Sequence, residues 1–467
     1  MKLVQDQDII EGYLTDASNT RGHAEALVLP RHTEEVAEVV RHCQSEGIPL
    51  TVTARRTSTT GGPVPHGGWL LSTEKLDAIE ALNQAQAGCF LGEYQSHVES
   101  EGWFFPPDPT SRHECSLGAA IACNASGARS FRYGPVRPWI EWVELVLPTG
   151  EIIEADRQTP IPDHWPVPLW NEPPVKTAAG IYPATNLLDL LIGHEGSLGI
   201  ITRTRTRLIR PPEDVMSMVA FFPDLKSCLE FVHHARKGAE RPGQEADQPT
   251  LNPRAIEFFD VHALDLIRDR VPDIPTEAQT ALFIEVEHPM DEPPIDAWCD
   301  ALESLSSLAD DTILTTEPSG RSRLHAIRHA VPAGVNEQVV ANGMPKIGTD
   351  FSVPDAALAE MMAAYMDVSL PHVLFGHIGD NHLHLNMLPR SPDELAQAQA
   401  CYRELALLAV SKQGTVSAEH GIGKLKRALL AEMVGPETLK NFRALKRTVD
   451  PAWILGRGNL LDPPSNP

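Results

Sequence analysis

The sequence predicts an α+β protein of two domains that divide near Arg210-Pro211-Pro212-Glu213. Three observations carry this expectation: an opening strand, helix, strand run with short connections, a Thr/Arg-alternating strand ahead of the Pro-Pro break, and a second run of strands and amphipathic helices beyond it. The 467 residues suit two or three domains of roughly 100 to 200 residues, and 42% hydrophobic residues can bury large cores without disulfide staples.

Leu27-Val28-Leu29-Pro30 reads as the first strand. Thr33 is the expected cap of a helix whose apolar face is Val36, Val39, Val40 and Cys43, with Gly47 behind it and Leu50-Thr51-Val52 as the next strand. The loop Thr57-Ser58-Thr59-Thr60-Gly61-Gly62 can turn backbone N–H groups toward a phosphate; the plain alternative is a surface turn. Pro106-Pro107-Asp108-Pro109 and the small residues from Ser116 to Gly127 would let a flat group approach the backbone, or equally serve tight helix packing. Val143 to Leu147, Pro148-Thr149-Gly150 and Glu151-Ile152-Ile153 read as a hairpin. Residues 158 to 183 hold seven prolines, an extended insertion or lid. His194 to Ile201 then enters a strand on which Arg203, Arg205 and Arg207 share a solvated face. In the second domain, Ala281 to Val286 reads as a strand, Asp355 to Tyr365 as an amphipathic helix and Lys237 to Arg254 as a polar linker.

Composition narrows the function. A net charge of −24 opposes attraction to nucleic acid or an anionic membrane. No stretch approaches 18 apolar residues, so no transmembrane segment is expected, though peripheral association stays open. The seven cysteines form no CxxC pair and read as reduced core thiols, and two acids precede any apolar run at the N-terminus, which points to the cytoplasm.

The most informative stretch is Phe375-Gly376-His377-Ile378-Gly379-Asp380-Asn381-His382-Leu383-His384-Leu385-Asn386-Met387. After the Gly379-Asp380 turn, alternation places His382, His384 and Asn386 on one face and Leu383, Leu385 and Met387 on the other. His377 can fold back toward His384, and two histidines with one carboxylate make a metal site suited to zinc, iron or manganese. Glu419 is the candidate carboxylate, delivered by a short strand at 415 to 417, while adjacent His420 points toward substrate.

Pro106 to Ser111, Asn124-Ala125-Ser126-Gly127, Glu195-Gly196-Ser197-Leu198-Gly199-Ile200-Ile201, the His377 and His384 pair, and Glu419-His420-Gly421-Ile422-Gly423 together resemble the FAD-linked D-2-hydroxyacid dehydrogenases. That family includes D-lactate dehydrogenases and the glycolate oxidase catalytic subunit, within the vanillyl-alcohol-oxidase-type flavoproteins. The resemblance covers about Ala26 to Pro463. It implies a two-part FAD-binding (PCMH-type) domain over 1–212, an α+β cap domain over 213–420, and a segment, 421–467, returning to the flavin. It places the FAD pyrophosphate on Arg55, Thr57, Ser58, Thr60, Gly61 and Gly62. The flavin ring falls near Pro107, Asp108, Ser111, Ser116, Gly118, Ala119, Asn124, Gly127, Glu195, Gly199, Ile201 and Asn459. It makes His377, His384 and Glu419 ligands of a divalent metal (Zn, Mn or Fe), and His420, Arg328, Lys346 and Asn386 substrate residues. The implied reaction oxidises a D-2-hydroxy acid, with electrons leaving to oxygen, a quinone or a carrier protein. Relatives usually read Ala-Arg-Gly-Ala-Gly-Thr at the phosphate loop, where this chain has Ala54-Arg55-Arg56-Thr57; they have a longer strand near Asn83 to Gly88, and commonly Ser where His194 stands. These departures define the alternative of a non-catalytic subunit that binds FAD weakly or not at all.

Overall fold

The computed structural model describes residues 2–241 and 251–463. β1 (Leu3–Val4), β2 (Ala26–Val28), β3 (Leu50–Thr53) and β4 (Trp69–Ser72) form a sheet in the order β1-β2-β4-β3, parallel apart from the β1–β2 pair. The helix Thr33–Glu46 connects β2 to β3, but β4 lies between those two strands, so the expected unit is split by a later strand. Val36, Val39, Val40 and Cys43 are fully buried and cluster with Val28, Leu50, Leu71 and Val146, so this amphipathic helix glues the first sheet to the second. Thr33 is not the cap. His32 precedes the helix without a side-chain cap, and Thr33 Oγ1 instead donates to Glu144 Oε1 at 2.6 Å.

β5 (Ile79–Ala81), β6 (Gln84–Gln86), β7 (Ile140–Val146), β8 (Ile152–Asp156) and β9 (Ile200–Thr206) form an antiparallel sheet in the order β5-β6-β9-β7-β8. The abbreviated stretch around residue 85 still forms a strand, β6, because Ala85 pairs with Thr204 of β9. Along β9, Thr202, Thr204 and Thr206 are fully buried, whereas Arg203 pairs with Glu80 at 2.6 Å and Arg205 with Glu141 at 3.7 Å on the wetter face.

β10 (Asp214–Phe222), β11 (Pro253–Asp260), β12 (Thr280–His288), β13 (Ile313–Thr315), β14 (Ile347–Gly348), β15 (Phe351–Ser352), β16 (His372–His377) and β17 (His382–Met387) make the third sheet. Its order is β13-β10-β12-β11-β16-β17-β14, with β15 also on β17. Its centre is covered on both faces, so β10, β11 and β12 are near-continuous buried runs. Half of the expected polar linker, residues 242–250, lies outside the described residues, while Lys237 ends a helix and Arg254 lies in β11.

Two connections fix the site between these layers. Residues 158 to 183 form no helix or strand, yet they are packed down: the Trp170 ring meets Phe442 edge-on at 5.9 Å and Trp170 Nε1 donates to Ile181 O at 2.9 Å. The C-terminal segment lies along β3, with Leu50 N–H donating to Ile454 O and Gly456 N–H to Leu50 O. No described helix is long and apolar enough to cross a membrane.

Candidate active site

β11, β16 and β17 bring the site together through register. Phe258 faces Gly376, Phe375 faces His384, and His377 faces His382 across a 3-10 turn closed by Asn381 at φ +52. Glycine is required inside that turn, since a Cβ on Gly379 would meet the Phe131 ring at 2.9 Å.

His377 Nε2 lies 3.4 Å from Glu419 Oε2, and His384 Nε2 lies 3.3 Å from Glu419 Oε1. His382 Nδ1, 3.9 Å from Glu419 Oε2, joins them, and one ligand atom from each of the four residues falls within 4.8 Å of the others. The far nitrogens are tied: His377 Nδ1 is 2.5 Å from Glu257 Oε1, and His384 Nδ1 is 3.0 Å from Thr349 O. Such outer partners fix each ring's tautomer and aim the Nε2 lone pair inward. His377 Nε2 is buried with no hydrogen-bond partner. The donor set therefore fits a divalent cation of borderline hardness.

Charges around this cluster are strongly coupled. Burial works against a charged His377, but Glu257 outweighs it and pushes the imidazole up to about 9. Burial disfavours ionised Glu419, yet Lys176 and His377 hold it well below the usual carboxylate range. Lys176 comes from the proline-rich excursion: its ammonium is buried, 3.2 Å from Glu419 Oε2 and 3.8 Å from Asp380 Oδ2. The excursion expected as an insertion or lid thus threads a cation into the site.

The four substrate candidates are placed unequally. The His420 ring stacks on His384 at 5.4 Å, with Nε2 3.6 Å from Glu419 Oε1 and Nδ1 3.5 Å from Asp350 Oδ2. Burial lowers its pKa to about 4. Lys346 Nζ donates to Asn386 Oδ1 at 2.8 Å, which joins two of the candidates. Arg328 is largely committed: Nε and Nη2 both donate to Glu257 Oε2, at 3.1 and 2.9 Å, leaving Nη1.

The residues expected to hold FAD gather in two linked groups. Ser58, Thr60, Gly61 and Gly62 face the C-terminal segment: Lys424 Nζ donates to Gly61 O and Gly62 O, and Gly62 lies near Asn459. The second group runs from Pro107 to Gly127, where Asp108 Oδ1 accepts the Arg129 N–H, Ser116 caps the helix Leu117–Ala122 containing Gly118 and Ala119, and Asn124 Oδ1 accepts the Arg137 N–H. Ser111 O accepts the Glu114 and Cys115 amides. Glu195 links the groups, with its N–H on Ala122 O and its carboxylate on the amides of Ile422 and Gly423 at 2.8 and 2.6 Å. Asn459 Nδ2 donates to Glu195 O, so these two side chains tie segments together. Gly199 and Ile201 have a packing role: a Cβ on Gly199 would lie 2.4 Å from Leu145, which pairs with Ile201. Arg55 Nε and Ser126 Oγ are buried without partners, polar atoms that a cofactor in this cleft would satisfy. Arg55 itself lies over the Phe90 ring at 3.7 Å, and Thr57 follows Arg56, which stands at φ +60 with its guanidinium 4.6 Å over Tyr13. Arg56 thus takes the left-handed conformation that glycine favours, at a cost of roughly 1 kcal/mol.

Sequence reasoning missed Glu257, Asp350 and Lys176. Asp350 is fully buried, takes a hydrogen bond from Lys426 Nζ at 2.7 Å and from the amides of Glu419 and His420, and lies 2.9 Å from His382 Nε2. Glu257 carried one usable signal, an acid in a strand otherwise fit for the core. Lys176 carried none.

Family models place this geometry. One described as an FAD binding domain matches residues 24–156, and one described as FAD linked oxidases, C-terminal domain, matches residues 211–460. The chain belongs to the FAD-linked oxidases. Within this oxidoreductase family it is 29% identical to a D-2-hydroxyglutarate dehydrogenase of Xanthomonas citri pv. viticola, over 94% of this chain and 90% of that protein. It is 28% identical to a D-lactate dehydrogenase of Archaeoglobus fulgidus (93% and 91% covered) and 26% identical to glycolate oxidase subunit GlcD of Bacillus subtilis (93% and 88%). A solved alkyldihydroxyacetonephosphate synthase shares the fold, with a TM-score of 0.68 at 16% identity over 97% of this chain and 81% of that one.

Proposed function

We propose that this FAD-linked oxidase converts a D-2-hydroxy acid, of the D-lactate, glycolate or D-2-hydroxyglutarate class, to its 2-oxo acid with the help of a divalent cation. The observation that carries this proposal is the convergence of His377, His384 and Glu419, with His377 Nε2 left bare, beside His420. The three relatives, by their names, act on acids of this class.

When bound, the cation supplies Lewis acidity at the C2 hydroxyl and FAD supplies the acceptor for the C2 hydrogen with its electron pair. His420 is neutral at pH 7 because burial depresses its pKa, and it takes the hydroxyl proton at Nε2. Asp350, 3.5 Å from Nδ1, steadies the imidazolium that results. Lys346, held by Asn386, and the free Nη1 of Arg328 hold the substrate carboxylate. Among the described residues every cysteine is free and none lies in a metal-ligand group, and the electrons taken from the substrate would leave to a separate acceptor: oxygen, a quinone or a carrier protein. The flavin-free alternative draws on the phosphate loop, the short strand near residue 85 and His194; against it stands the match of residues 24–156 to an FAD binding domain.

The test is turnover of metal-stripped, FAD-loaded protein with an electron-accepting dye, offered both lactate enantiomers, glycolate and D-2-hydroxyglutarate. We expect Zn2+ or Mn2+ to restore 2-oxo acid formation from one of these acids, and from the D form where the acid is chiral. Turnover indifferent to chelation, or equal on L-lactate, would overturn the proposal.

A further inference from the structure

A second group of metal-ligating side chains lies apart from the active site. Asp260 ends β11 and caps the helix Val261–Ile267, His262 is the second residue of that helix, and His372 opens the neighbouring strand β16. One ligand atom from each falls within 4.8 Å of the others. His377, at the opposite end of β16, is five residues from His372, roughly 16 Å at strand rise.

Each member is prepared in a way that ordinary packing does not require. Asp260 is fully buried; Oδ1 accepts the Ala263 N–H at 2.7 Å, while Oδ2 is buried and makes no hydrogen bond of normal geometry. His372 Nδ1 is 2.8 Å from Leu370 O, which fixes the proton there and leaves Nε2 a bare lone pair, also buried and unpartnered. The His262 ring meets His372 edge-on at 5.1 Å and is exposed, so it closes the group from the solvent side. Two bare acceptors buried side by side repel and lack solvation unless a positive charge lies between them.

We propose that Asp260, His262 and His372 bind a second divalent metal ion, of the zinc class, with water in the fourth position. Two imidazoles and one carboxylate are a zinc donor set, and a backbone carbonyl on the remote nitrogen of His372 is a usual orienting partner. The ion would tie the end of β11 to the start of β16, the strand that carries His377, so its role is structural. The proposal does not depend on the hydroxyacid function.

The test is titration of metal-stripped, FAD-loaded protein with Zn2+ against a chromophoric chelator, with thermal unfolding followed at each equivalent. Wild type should take two equivalents, and Glu419→Gln should retain the one that raises the unfolding temperature. His372→Gln should lose that equivalent while keeping the other and keeping turnover. His262→Ala, at an exposed position that folding tolerates, should weaken the second equivalent at least tenfold. A single equivalent in wild type that His372→Gln leaves intact, no equivalent in Glu419→Gln, or two undiminished equivalents in both histidine variants would overturn the site.

Discussion

Replacing Lys176 by methionine should tighten the binding of a divalent cation at His377, His384 and Glu419. The Lys176 ammonium lies 3.2 Å from Glu419 Oε2 in a buried setting. At an effective dielectric constant of about 20 that contact is worth roughly 5 kcal/mol. An incoming cation must displace it; closing the existing Asp380 contact from 3.8 Å to about 2.8 Å returns roughly 1.5 kcal/mol, and hydration of the freed ammonium about 1 kcal/mol more. The remaining ~2–3 kcal/mol corresponds to a Zn2+ Kd roughly 30- to 150-fold lower in Lys176→Met. Methionine keeps an unbranched stem, so the packing of the excursion survives, and Lys176→Arg, which keeps the charge, should stay near wild type. Competition with a chromophoric chelator on metal-stripped protein reads the difference. An unchanged or raised Kd in Lys176→Met would refute the reasoning, because the ammonium would then leave Glu419 without cost.

Glu257→Gln removes the charge that orients His377 and should weaken Zn2+ binding by about 10- to 100-fold with flavin content unchanged; parallel loss of flavin in the absorption spectrum would contradict this. His384→Ala should abolish turnover and leave bound flavin intact, since cofactor and metal are assigned to different segments. His194 is buried and its pKa is lowered from 6.5 to about 4 by that burial, so the unfolded chain takes a proton there that the folded chain refuses. The associated stability is complete above pH 6.5 and falls by at most about 3 kcal/mol toward pH 4. His194→Ser should flatten that acid limb in urea unfolding, and identical limbs would contradict the assignment.

The parts of this molecule that were legible in sequence are those whose signal is local. The spacing of Val36, Val39, Val40 and Cys43 predicts the buried face of the helix Thr33–Glu46, and the alternation of His382, His384 and Asn386 predicts the polar face of β17. Thr33 failed as a cap because Glu144, 111 positions away, offered its hydroxyl a better acceptor. The expected strand at 415 to 417 shrinks to one bridge, Ser352 to Thr415, since the Glu419 and His420 amides turn toward Asp350 instead. The outer partners of the site, Glu257, Asp350 and Lys176, come from three separate segments and depend on how those segments dock. No periodicity or turn chemistry records that docking. Glu195 shows the converse: its motif was visible, but its task of gripping the Ile422 and Gly423 amides was not.

The most direct measurement is the visible spectrum of protein reconstituted with FAD and Zn2+ or Mn2+, recorded before and after anaerobic addition of D-lactate, glycolate or D-2-hydroxyglutarate. The account predicts a flavin band that bleaches with one of these acids, with one 2-oxo acid formed per flavin, and that stays oxidised when His384 is replaced by alanine or the metal is chelated. A retained flavin band that none of the acids bleaches, or bleaching untouched by chelation, would contradict it.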